Sequence, residues 1–86
     1  MCRIITPEED GEHCHAHAPL EVAELLRDNL IQELSTMGDL FGHLHCMENP
    51  AGAQALVEAI THKRATVDAL YRALTAAEDE GLASLE

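Results

Sequence analysis

Residues 13–17 read His13-Cys14-His15-Ala16-His17, four metal-ligand residues in five positions. Imidazole nitrogen and thiolate sulfur match zinc, copper, nickel and iron in softness, so the run suits a transition-metal ion. It also reads as a solvated, histidine-rich tail. The whole chain shares the bias. Six His and three Cys stand in 86 residues, beside one Tyr, one Phe and no Trp.

Further candidate ligands sit inside helical patterns. Glu33 shares a face with Leu26, Leu30 and Met37, where a carboxylate must be paired, hydrogen-bonded or bound to metal. His62 stands in a line of small residues, Ala55, Ala59, Thr66, Ala69 and Ala73. Glu33 and His62 fall near the middles of their segments, so an antiparallel hairpin would set them level and make them a candidate metal pair. The plainer readings are a boundary Glu beside Lys or Arg and a packed, hydrogen-bonded His. Asp39, His43 and Cys46 follow at i,i+4 and i,i+3, one face of a helix. That is chelating geometry lacking a fourth ligand, which the arm could supply. The plainer reading is a polar face near a helix C-terminus, where His suits the dipole. His45 is expected to face solvent. A thiol-based redox role for Cys14 or Cys46 would need lowered thiol pKa values, which sequence does not show. No Ser-His-Asp order, Gly-rich phosphate loop or CxxCH motif is present.

The elements that would position these residues are helical. Pro19 suits the first turn of a helix, with Glu21 and Glu24 near the positive end of its dipole. Val22, Leu26, Leu30, Leu34, Met37, Phe41 and Leu44 then recur at alternating three and four spacing, the pattern of a buried stripe. Leu25, Ile31 and Leu40 widen it. Gly38 and Gly42 interrupt the helix, each costing about 1 kcal/mol against Ala, and mark a kink or a close approach of another backbone. Asn49-Pro50 ends the first helix, because the residue before Pro is pushed out of the helical region. A second helix is expected from Pro50 to Ala77. Its stripe is Ala53, Leu56 or Val57, Ile60, Val67, Leu70 or Tyr71, and Leu74, with Lys63 and Arg64 where it should continue. Residues 78–86 are acidic and are expected to fray or to add one turn. Cys2, Ile4 and Ile5 read as a short strand or a packed tail.

The resulting expectation is an all-α chain in three parts: a His/Cys-rich N-terminal arm (1–19), an antiparallel helical hairpin (20–77) and an acidic C-terminal tail (78–86). A hairpin with two apolar faces has one partner too few, so dimerisation into a four-helix bundle is expected. The net charge of −11, with 16 acidic and 5 basic side chains, disfavours nucleic acid and anionic lipid as partners. Residues 1–19 lack the apolar core of a signal peptide, and no apolar run is long enough to span a bilayer, so the cytoplasm is the expected location. Three Cys without a CxxC suit thiol or ligand roles better than a disulfide framework.

Leu25-Leu26-Arg27-Asp28-Asn29-Leu30-Ile31-Gln32-Glu33, followed by Asn49-Pro50 through Leu74, resembles the short ferritin-like proteins related to rubrerythrin and encapsulated ferritin. In those a Leu-rich run precedes a Glu ligand, and the second helix carries Glu-x-x-His. The resemblance covers about residues 20–75 and rests on hydrophobic spacing. It implies iron, held by Glu33 and His62, and a diiron oxidase or ferroxidase role as the enzymatic version. The chain departs from the pattern at His62-Lys63-Arg64-Ala65-Thr66, where only His62 could stand in for the second-helix ligands. It also lacks the aromatic residue after the first Glu. The functional expectation is a protein that stores, carries or senses a transition metal through Glu33, His62, His13, Cys14, His15, His17, His43 and Cys46. Iron leads, with zinc, copper or nickel as the other metals. The alternative is a metal-free helical module that docks on a larger enzyme or regulator.

Overall fold

The computed structural model describes residues 17–85. The arm residues His13, Cys14 and His15, and the segment containing Cys2, Ile4 and Ile5, lie outside them. Two helices, α1 (Pro19–Cys46) and α2 (Pro50–Ala83), are joined by residues 47–49 and pack against each other along their length. No strand occurs among the described residues.

Local chemistry sets the helix ends. Pro19 and Pro50 open the two helices, where the missing N–H costs nothing and the fixed φ is already helical. Asn49 caps α2: its Oδ1 accepts the backbone N–H of Gly52 at 2.8 Å. Ala18 has no side-chain acceptor, but Glu21 Oε1 reaches its backbone N–H at 3.5 Å, a weak half of a capping box. Met47 leaves the helical region at the end of α1, as the Asn49-Pro50 pair requires within two residues.

The three-four repeat then defines the seam. Position a of each heptad is Ala23, Leu30, Met37 and Leu44 in α1, and Ile60, Val67, Leu74 and Gly81 in α2. Position d is Leu26, Glu33 and Leu40 in α1, and Leu56, Lys63, Leu70 and Ala77 in α2. Every one of these residues is buried or half-buried. This differs from the expected stripe. Leu34 and Phe41 do not enter the seam, and their preceding neighbours Glu33 and Leu40 do. In α2 the open choices fall to Leu56 and Leu70, leaving Val57 and Tyr71 exposed. A two-helix contact accommodates one narrow stripe per helix, and a residue one position on lies about 100° around the axis.

The core is concentrated at one end. Ala23, Leu30, Leu74 and Ala77 form a buried cluster, with Val22, Leu26, Val67 and Leu70 packed against it. The same end explains why α2 runs past Ala77 to Ala83. Gly81 lies directly beneath Leu20; a methyl on it would stand 2.6 Å from Leu20 Cγ and 3.4 Å from the Leu20 backbone nitrogen. With Leu20 in this rotamer the approach leaves no room for a side chain at 81, and Leu20 packs on the last turns of α2. Gly38 and Gly42 differ. α1 continues through both, and no atom lies within 4 Å of where a Cβ would be. Among the described residues, the close approach expected at these two positions does not occur.

Candidate functional site

Glu33 and Lys63 both occupy d positions, and they are bonded to each other. Lys63 Nζ donates to Glu33 Oε1 at 2.7 Å, with the two side chains 34% and 27% exposed. A carboxylate placed in an apolar seam needs a partner, and here the opposite helix provides an ammonium. The pairing is the reading of Glu33 as a boundary residue beside a base. His62, one position before Lys63, is exposed, on the flank of α2 that carries Ala55, Ala59, Thr66, Ala69 and Ala73.

A second cross-helix pair fixes the sidedness of the hairpin. Arg27 donates through Nη2 to Glu78 Oε2 at 2.7 Å. Both residues follow a d position, so both are e positions, and the e positions of the two helices lie along the same side of the seam. On that side α1 presents Ile31, Leu34, Gly38 and Phe41, and α2 presents Val57, Thr61, Arg64, Asp68 and Tyr71. All are exposed. Ile31 is 58%, Phe41 50% and Tyr71 56% accessible. Asp68 is engaged by Arg72 one turn on, at 3.1 Å. The opposite flank carries Asp39, His43 and Cys46 from α1 beside the His62 line. His43 and Cys46 are exposed, Cys46 as a free thiol. Among the described residues no group of three or more His, Cys, Asp or Glu side chains converges for a metal ion.

The expected ligands therefore fall into three places. Glu33 is in the seam, bonded to Lys63. His62, His43 and Cys46 are on one open flank. His17, also exposed, stands two residues before α1, and the other arm ligands lie outside the described residues. The sequence implied a second apolar face but not which residues compose it. Its signal was present as the surplus apolar positions Ile31, Leu34, Phe41, Val57 and Tyr71.

The chain matches no family model, no curated protein and no solved structure. No helix among the described residues is long and apolar enough to cross a membrane.

Proposed function

We propose that this chain is a helical docking module, working through the flank formed by Ile31, Leu34, Phe41, Val57 and Tyr71. The single observation that carries the reading is that these five large side chains are exposed together on one side of a two-helix layer. Large apolar side chains left exposed together on one face mark an association site. Its two charged residues, Arg64 and Asp68, are of opposite sign, although the protein as a whole carries −11. The partner is another apolar helical surface, either a second hairpin or a helix of a larger protein.

The double variant Leu34→Glu with Phe41→Glu tests this. If the face is covered, the wild type has a native mass above 9.4 kDa, and the variant loses it while keeping its helical circular dichroism. If the face is open, the wild type binds an apolar dye and the variant does not. A wild type that neither associates nor binds dye removes the reading.

A second reading is supported by His13-Cys14-His15-Ala16-His17: capture of a transition-metal ion by the arm. Because Leu20 packs on Gly81, the arm joins the hairpin beside Glu78, Asp79 and Glu80. Carboxylates at that pole raise the local concentration of cations. A ferritin-like diiron centre has less support, since it draws on the Glu33 carboxylate that Lys63 already holds.

A further inference from the structure

We propose that the last turns of α1 carry a capture site for a zinc-class ion, with His43 and Cys46 as its ligands and Asp39 as the carboxylate that orients His43. The site shares no residue with the docking face or with the arm.

Helix geometry assigns the roles. At about 100° and 1.5 Å per residue, the three side chains leave α1 within an arc of about 60°. His43 and Cys46 are three residues apart, about 4.5 Å in rise. Ligand pairs at i,i+3 on one helix meet on a single ion in helical bundles. Asp39 stands about 10.5 Å in rise from Cys46, too far for the two to share an ion. The three therefore do not make a three-ligand cluster, and none occurs among the described residues. Asp39 lies one turn from His43 instead. An imidazole that binds metal through one nitrogen donates its other N–H, commonly to a carboxylate, and this fixes the ring. Asp39 is placed for that hydrogen bond.

The three side chains are available. All are exposed, and Cys46 is a free thiol. None of them makes a hydrogen bond or ion pair with another described side chain. Glu33, by contrast, is held by Lys63. Beside them α2 carries Ala55 and Ala59, whose methyl groups leave the outer coordination positions to water.

Charge and ligand type select the ion. Between Arg27 and Lys63 the chain has no Lys or Arg, while Glu33, Asp39, Glu48 and Glu58 fall in that stretch. The C-terminal carbonyls of α1 add the negative end of the helix dipole. A cation at His43 and Cys46 thus meets attraction without a competing base. Imidazole and thiolate favour zinc and its soft neighbours, whereas calcium and magnesium require oxygen ligands. The arm forms a separate site. His13 is five residues before Ala18, a reach of about 18 Å at most, and His43 lies about 37 Å along α1 from that end.

Titration with cobalt(II), a spectroscopic stand-in for zinc, tests the proposal. The reduced full-length chain carries Cys2→Ser with His13, Cys14, His15 and His17 replaced by Ala, so that the arm is silent. The expected signal is a near-ultraviolet thiolate-to-cobalt band that saturates at one ion per chain and is lost when zinc is added. Cys46→Ser should abolish the band, and His43→Ala should weaken binding about tenfold or more. Asp39→Asn should weaken it about tenfold, the cost of losing a carboxylate that orients a metal-bound His. His45→Ala, about 200° around the helix from His43, should change nothing. Glu48→Gln, which removes a nearby charge alone, should change binding less than about twofold. Circular dichroism of each variant separates loss of a ligand from loss of helix. Absence of the band at about 1 mM cobalt, a Kd too weak for capture, overturns the site. So does a band that keeps its full affinity in His43→Ala. An Asp39→Asn variant that binds as tightly as its parent, or no more weakly than Glu48→Gln, overturns the orienting role.

Discussion

Glu33 and Lys63 meet across the helix seam at 2.7 Å, each from a position that the three-four repeat assigns to an apolar side chain. The pair divides the seam. The buried cluster of Ala23, Leu30, Leu74 and Ala77 lies on one side of it, toward the start of α1. Toward the connection, Met37, Leu40, Leu44 and Leu56 are only half-buried. Sliding the helices by one heptad would leave both charges facing apolar groups, so the pair selects the register, as polar groups in helical seams do elsewhere.

Breaking the pair should cost more than replacing it. Lys63→Met leaves a part-buried carboxylate without its cation and is expected to destabilise the chain by about 1–2 kcal/mol, between the values for exposed and buried pairs. Glu33→Leu with Lys63→Leu should restore stability or exceed the wild type by about 1 kcal/mol. Urea midpoints at constant m-value measure both. A Lys63→Met variant as stable as the wild type would place the pair with ordinary surface ion pairs.

Two glycines should respond in opposite directions. Gly81→Ala drives a methyl into Leu20, and overpacking of this kind costs about 1–3 kcal/mol. Gly42→Ala meets nothing within 4 Å and lies away from the exposed apolar face, so it should stabilise by up to about 1 kcal/mol through helix propensity. Thermal melts of the two variants at one protein concentration show the sign of each.

The cap of α2 is the third local test. Asn49→Ala removes the acceptor for the Gly52 N–H and should cost about 1 kcal/mol. Asn49→Asp keeps the acceptor and should cost much less, which separates capping from any effect on the connection. The comparison is read from the same urea midpoints.

For the arm, the expected result is compositional. Protein purified without an affinity tag should contain transition metal by elemental analysis. Replacing His13, Cys14, His15 and His17 with Ala should remove it while helicity stays unchanged. Glu33→Gln should keep the metal, because that carboxylate is occupied by Lys63. Retention of metal by the arm variant would leave the run as a tail.

How much of this was legible depended on the range of the interaction. Pro19, Asn49 and Pro50 act on their own neighbours, and both helix starts were readable from them. The seam was harder. Leu30 and Met37 belong equally to a stripe through Leu34 and Phe41 and to one through Glu33 and Leu40, and the first is the more apolar. Which stripe turns inward depends on the partner helix, where Leu56 and Leu70 compete with Val57 and Tyr71 on similar terms. Lys63 looked like an interruption because its partner is thirty residues away in sequence. The extension of α2 beyond Ala77 likewise brings Gly81 against Leu20, at the far end of the chain.

The Leu20–Gly81 contact also determines how the hairpin would respond to mechanical load. Both of its ends emerge at one pole, so a force pulling them apart acts across the helices instead of along them. The seam is then peeled layer by layer, from Leu20 and Gly81 past Arg27 and Glu78 toward Asn49. Each layer carries the whole tension in turn, and none shares it with the next. The pole that holds most of the buried cluster is therefore the one that opens first. Resistance falls once the Glu33–Lys63 layer has parted.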